Sequence, residues 1–164
     1  MNSKVAYLTQ VALLSVFITL SGAIKIPSIF PGAEFQLSAP IAIAICYAFG
    51  IKMYLLAGIL SSTVGLILGT HTIFNVMIAM IFRVVVAAIM LAFGRNKLSM
   101  LIAGPIASSV ARLSLAVFLD KAAYALLVAA VPGMIYTVIT CVPLGLLLEK
   151  IKNTALRGLQ RNAV

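Results

Sequence analysis

Long apolar runs broken by short polar or glycine-rich punctuation dominate this sequence. Six runs are legible, at residues 5–24, 37–50, 53–69, 71–94, 99–119 and 127–150. Several approach the roughly 20 residues that span a bilayer as helix. They do not alternate polar and apolar, which argues against a transmembrane barrel. The pattern predicts an all-α, polytopic membrane protein: a single six-transmembrane-helix bundle.

The punctuation adds detail. Residues 25–38, KIPSIFPGAEFQLS, contain Pro27, Pro31 and Gly32, which forbid a straight helix. This loop is too apolar to float in water, so the 27–36 segment reads as a lid over a cavity or as a loop dipping among lipid headgroups. The second run is short, with Pro40 suited to its first turn. The third carries Gly58 and Ser62, and beside them Ser61, Gly65 and Gly69, small residues four apart that let helix backbones approach. GRNKL separates the fourth run from the fifth. Pro132-Gly133 predicts a kink or restart in the sixth. Beyond it, the basic tail from Lys150 reads as a solvated or headgroup-bound end.

Composition agrees. Of 164 residues, 63% are hydrophobic and 9% charged, and the mean hydropathy is +1.20. A soluble domain of this length has nowhere to bury so much apolar side chain. The net charge of +9 would suggest nucleic acid in a soluble protein. Here it follows from positively charged loops that set orientation. With six spans, Lys4, Lys52, Arg95, Lys97, Lys150, Lys152, Arg157 and Arg161 fall on one side, and Lys25 and Lys121 on the other. That asymmetry puts both termini in the cytoplasm of a multi-pass protein of the cell membrane.

Chemistry is sparse. There are three acidic residues in all, and no metal-ligand spacing, phosphate loop or nucleophile elbow. No catalytic residue, metal or cofactor is expected, and the chain reads as a non-enzyme. Cys46 and Cys141 read as packing residues. The exception to this blandness is Arg83, near the middle of the most apolar run. An arginine at that depth costs about 3 kcal/mol on insertion scales. His71, Asn75, Ala79 and Arg83 repeat every four residues and share one helix face. Arg83 lies roughly 18 Å below the start of its span, and Arg112 roughly 12 Å below Asp120. Both could address one outward-facing cavity. Neither has an acid within the membrane, which leaves carbonyls, water, Glu34 of the lid or an incoming anion; a guanidinium suits carboxylate or phosphate. The bland alternatives are snorkelling or helix capping by either arginine, helix joining by Asn75, and capping by His71. Tyr136 and Thr140 share a face of the last span. Glu34, Phe35 and Gln36 of the lid complete the candidate substrate-binding set.

The run PGAEFQLSAPIAIAICYAFG, the small-rich third span and LGTHTIFNVMIAMIFR together resemble the substrate-binding S components of energy-coupling factor (ECF) transporters. The similarity covers most of the chain. It implies a six-helix bundle that captures a vitamin-like small molecule at the outer face. It implies as partners a transmembrane coupling protein and two ATPases, with any ATP hydrolysis confined to those ATPases. It also implies a site that draws on the lid and on Asn75, Arg83, Arg112 and Tyr136. The family's first helix often shows alanines four apart; here Ala12 is followed by Val16, and Ser15 by Thr19. The rivals are a stand-alone secondary transporter or small channel, and a non-transporting membrane scaffold.

Overall fold

A computed structural model of the protein describes the backbone of residues 3–27, 34–115, 117 and 122–161, and side chains for 4–24, 37–115, 117, 124–155 and 157. Six helices account for most of these residues: α1 (Ser3–Ala23), α2 (Ser38–Phe49), α3 (Ile51–Ile67), α4 (Ile73–Ala92), α5 (Lys97–Leu113) and α6 (Ala122–Arg161). Stretches within α1, α4 and α6 are long and apolar enough to cross a membrane. Large apolar side chains such as Ile67, Leu91, Val117 and Val128 face outward. That inverts the surface of a soluble protein and marks the chain for membrane insertion.

The helices are joined tightly where glycine permits it. Gly50, Gly69 and Gly94 each take positive φ, at 93°, 68° and 76°, a region open to glycine without steric cost. Thr72 caps α4 by accepting a bond from the Asn75 N–H at 3.3 Å. Asn96 caps α5, its Oδ1 accepting from the Ser99 N–H at 2.8 Å. Such caps satisfy donors that a helix start leaves open.

The shortest helix is the hub. At 12 residues, α2 extends about 18 Å, well short of a hydrocarbon core about 30 Å thick. Residues 40–46 and Ala48 of α2 are buried, and α2 meets each of the other five helices. Its sequence, SAPIAIAICYAF, has no charge and no polar face, as a helix packed all round requires. Ile43, Ile45 and Cys46 join Tyr54, Val86, Met90, Met100 and Cys141 in one continuous core.

Three features differ from the sequence reading. The lid segment carries a small antiparallel ribbon, β1 (Lys25–Pro27) and β2 (Glu34–Gln36), in register Ile26 opposite Phe35. The bundle itself is all-helical, and the ribbon belongs to the segment between α1 and α2. The last helix continues through Pro132 and Pro143 to Arg161, where a kink or restart at Pro132-Gly133 and a solvated or headgroup-bound tail from Lys150 are predicted. Helices of this apolar kind tolerate internal proline when neighbours and hydroxyl side chains satisfy the freed groups. Helix α5 ends at Leu113, short of the predicted 119.

Candidate functional site

Arg83 occupies the middle of α4 and is buried, 6% exposed. Its side chain turns toward α3. Nη1 donates to Ser62 Oγ at 2.7 Å and approaches Met80 Sδ at 3.8 Å. The stem lies against Gly58: a Cβ there would stand 2.5 Å from Arg83 Cδ and 3.1 Å from Cζ. The missing side chain of Gly58 is thus the notch that lets a long cation lie between two helices. Tyr54, one turn before Gly58, is fully buried. Among the described residues its hydroxyl has no hydrogen-bond partner. Tyr54, Gly58 and Ser62 stand four apart, so one face of α3 presents a phenol, a gap and a hydroxyl to Arg83.

A second polar contact ties α3 to α1, where Thr19 Oγ1 donates to Ser61 Oγ at 3.0 Å. At the far end of α3, His71 is half-buried, its ring over Gly65, where a Cβ would fall 2.6 Å from Nδ1. The turn closes on the same residue: the Thr70 and His71 N–H groups both donate to Gly65 O, at 3.0 and 3.1 Å.

The sequence-derived set is only partly assembled by the fold. Arg112 is half-buried in the last turn of α5 and donates from Nη1 to its own Ser108 carbonyl at 3.3 Å. A cation there also complements the helix C-terminus. Asn75 sits exposed in the first turn of α4. Tyr136 and Thr140 are half-buried on α6. The side chains of Glu34, Phe35 and Gln36 lie outside the described residues, although the β2 backbone that carries them meets α1 and α6. Sequence reasoning reads Gly58 and Ser62 as a helix-contact row and passes over Tyr54. The signal is present in the four-residue spacing, but nothing in the sequence says which neighbouring helix that face meets.

Chemically, the Arg83 seam gathers donors. A guanidinium, with a hydroxyl and a thioether on Nη1, sits at mid-helix, and among the described residues no carboxylate neutralises it. Glu149 is engaged elsewhere, accepting from Tyr47 OH at 3.2 Å. Such a group recognises an acceptor, above all an anion. No grouping of His, Cys, Asp and Glu able to hold a metal occurs among the described residues.

No protein-family model and no solved structure matches the chain. The chain is similar to Protein BioX of Lysinibacillus sphaericus, 46% identical over 137 residues, covering 84% of this chain and 82% of the relative. That span takes in most of the bundle and is too extensive and too similar to reflect shared hydrophobicity alone, so the chain belongs to the BioX family.

Proposed function

We propose that the protein is the substrate-capturing membrane subunit of an ATP-driven importer, an S component of the ECF type, and that its cargo is a biotin-related small molecule bearing a carboxylate. The single observation that carries this reading is Arg83, a buried mid-helix guanidinium unpaired with any carboxylate among the described residues. The cargo supplies the missing negative charge. The name of the BioX relative is consistent with a biotin-related role. The lid ribbon supports capture from one end: β2 runs directly into the hub helix α2, and its backbone bridges α1 and α6. Closure of the 27–36 segment over that end would sequester the cargo. In this reading all six helices belong to the membrane bundle and both termini are cytoplasmic. The coupling protein and two ATPases supply the work, and this chain is not an enzyme.

The test is calorimetric titration of the purified full chain with biotin and related carboxylic acids, beside mass-spectrometric identification of whatever co-purifies. A bound carboxylate whose affinity falls about tenfold or more in Arg83→Gln, roughly one charge-assisted hydrogen bond, supports the reading. Binding of a cation lacking any anionic group, or affinity unchanged in Arg83→Gln, overturns it. Uptake into liposomes without ATPase subunits would assign the chain to stand-alone carriers.

A further inference from the structure

At the end of the bundle away from the lid, α6 runs on beyond the other helices. Its 40 residues extend about 60 Å, twice a hydrocarbon core. Where it leaves the apolar region its surface forms a shallow, open groove lined by Leu146, Glu149, Lys150, Asn153, Thr154 and Arg157. Successive spacings of three, one, three, one and three place these residues on one face. From the bundle outward the face reads apolar, charged, neutral polar, cationic. Lys150 and Arg157 are exposed and seven residues apart, about 10 Å along the helix, with Asn153 and Thr154 between them.

The acid on this face is engaged, and the remaining nearby cation points elsewhere. Glu149 is half-buried and accepts from Tyr47 OH at 3.2 Å, which draws it toward α2. Lys152 projects from another side of α6, donating to Ala48 O at 2.8 Å with its ammonium 5.7 Å from the Phe49 ring centroid. Lys150 and Arg157 make no hydrogen bond or ion pair among the described residues. Lys150 and Arg157 therefore bracket two neutral hydrogen-bonding side chains, with Glu149 held by Tyr47 at the inner edge of the groove, immediately above exposed Leu146 and Leu147. A soluble phosphate would use the cations and have no use for the leucines. A molecule whose anionic head adjoins a hydrocarbon chain uses both.

We propose that this groove seats one anionic glycerophospholipid, with its phosphate between Lys150 and Arg157, its polar oxygens near Asn153 and Thr154, and an acyl chain along Leu146. The seat fixes the depth of α6 and, through the Glu149 and Lys152 contacts to α2, the depth of the hub. It is independent of what the Arg83 seam binds.

Native mass spectrometry of the full chain, titrated with phosphatidylglycerol, phosphatidylcholine or inorganic phosphate, tests it. The expected result is one phosphatidylglycerol retained in preference to phosphatidylcholine, by about thirtyfold for two basic side chains at an anionic headgroup. Lys150→Gln with Arg157→Gln abolishes that preference, whereas Lys97→Gln, an exposed cation at the start of α5, leaves it intact. Equal retention of the two lipids, full retention by the double variant, equal loss in Lys97→Gln, or stronger competition by inorganic phosphate than by the lipid would each overturn the proposal. Both groove cations are exposed; should the double variant not fold, Arg157→Gln alone and the wild-type lipid comparison decide.

Discussion

Replacing Gly58 by alanine is the sharpest probe of the Arg83 seam. The new Cβ would fall 2.5 Å from Arg83 Cδ and 3.1 Å from Cζ, where carbon contacts normally settle at about 3.5–4.0 Å. The arginine has to retreat by roughly an ångström, and the 2.7 Å bond to Ser62 cannot survive that shift. Overpacking costs about 1–3 kcal/mol, and a lost hydrogen bond to a charged group about 1.5–3 kcal/mol. Alanine returns about 1 kcal/mol through its helix preference. The net is about 1.5–5 kcal/mol, a fall of roughly 3–20 °C in Tm for a chain of this size. The protein has no tryptophan, but Cys46 and Cys141 are both fully buried, so a thiol-reactive dye reports unfolding directly. The decisive control is a double-mutant cycle. With Arg83→Ala already in place the clash has no partner, and Gly58→Ala becomes neutral or stabilising by up to about 1 kcal/mol. A Gly58→Ala protein that melts at or above wild type, or a penalty equal in both backgrounds, would show that Arg83 does not lie in this notch.

Three further outcomes are expected in the same dye assay. Tyr54→Phe raises Tm, because it removes a buried hydroxyl with no partner among the described residues, a group that costs about 1–3 kcal/mol unsatisfied; a lower Tm would mean that the hydroxyl is bonded. Lys152→Ala costs about 1 kcal/mol by freeing the Ala48 carbonyl and uncovering the Phe49 ring, and salt should weaken the wild-type advantage. Asn96→Ala lowers stability by about 1 kcal/mol by removing the acceptor for the Ser99 N–H and hydroxyl at 2.8 and 3.0 Å; no change would mean that another group caps α5.

How much of this was legible in the sequence differs from element to element. Hydropathy alone marks the runs that became helices, and it singles out Arg83 because charge is rare there. Depth along a helix follows from counting, so Arg83 and Arg112 can be ranked by distance from their span ends. Azimuth does not follow. The direction in which Arg83 points depends on how α4 rotates against α3, and that is set by the notch at Gly58 and the hydroxyl of Ser62, on another helix. Arg112 illustrates the same gap: its Ser108 carbonyl is local, yet the choice between bonding its own turn and reaching outward is made by where α5 stops. The continuity of α6 through Pro132 and Pro143 was hidden because the usual rule for proline presumes water as the competitor for freed carbonyls. The ribbon β1–β2 was hidden because three-residue strands carry almost no periodicity. The burial of α2 on every side was half visible in its uniform apolarity.

That burial has an evolutionary corollary. Residues on α1 or α4 that touch acyl chains can exchange Leu, Ile, Val and Phe freely, since lipid tails conform to any of them. The side chains of α2 from Pro40 to Cys46 are all buried, and they meet only other side chains of fixed shape. Drift at any one of them must be matched by a partner on a different helix. In a comprehensive substitution screen α2 should stand out as an uninterrupted intolerant block, without the every-third-or-fourth-residue relief of its neighbours.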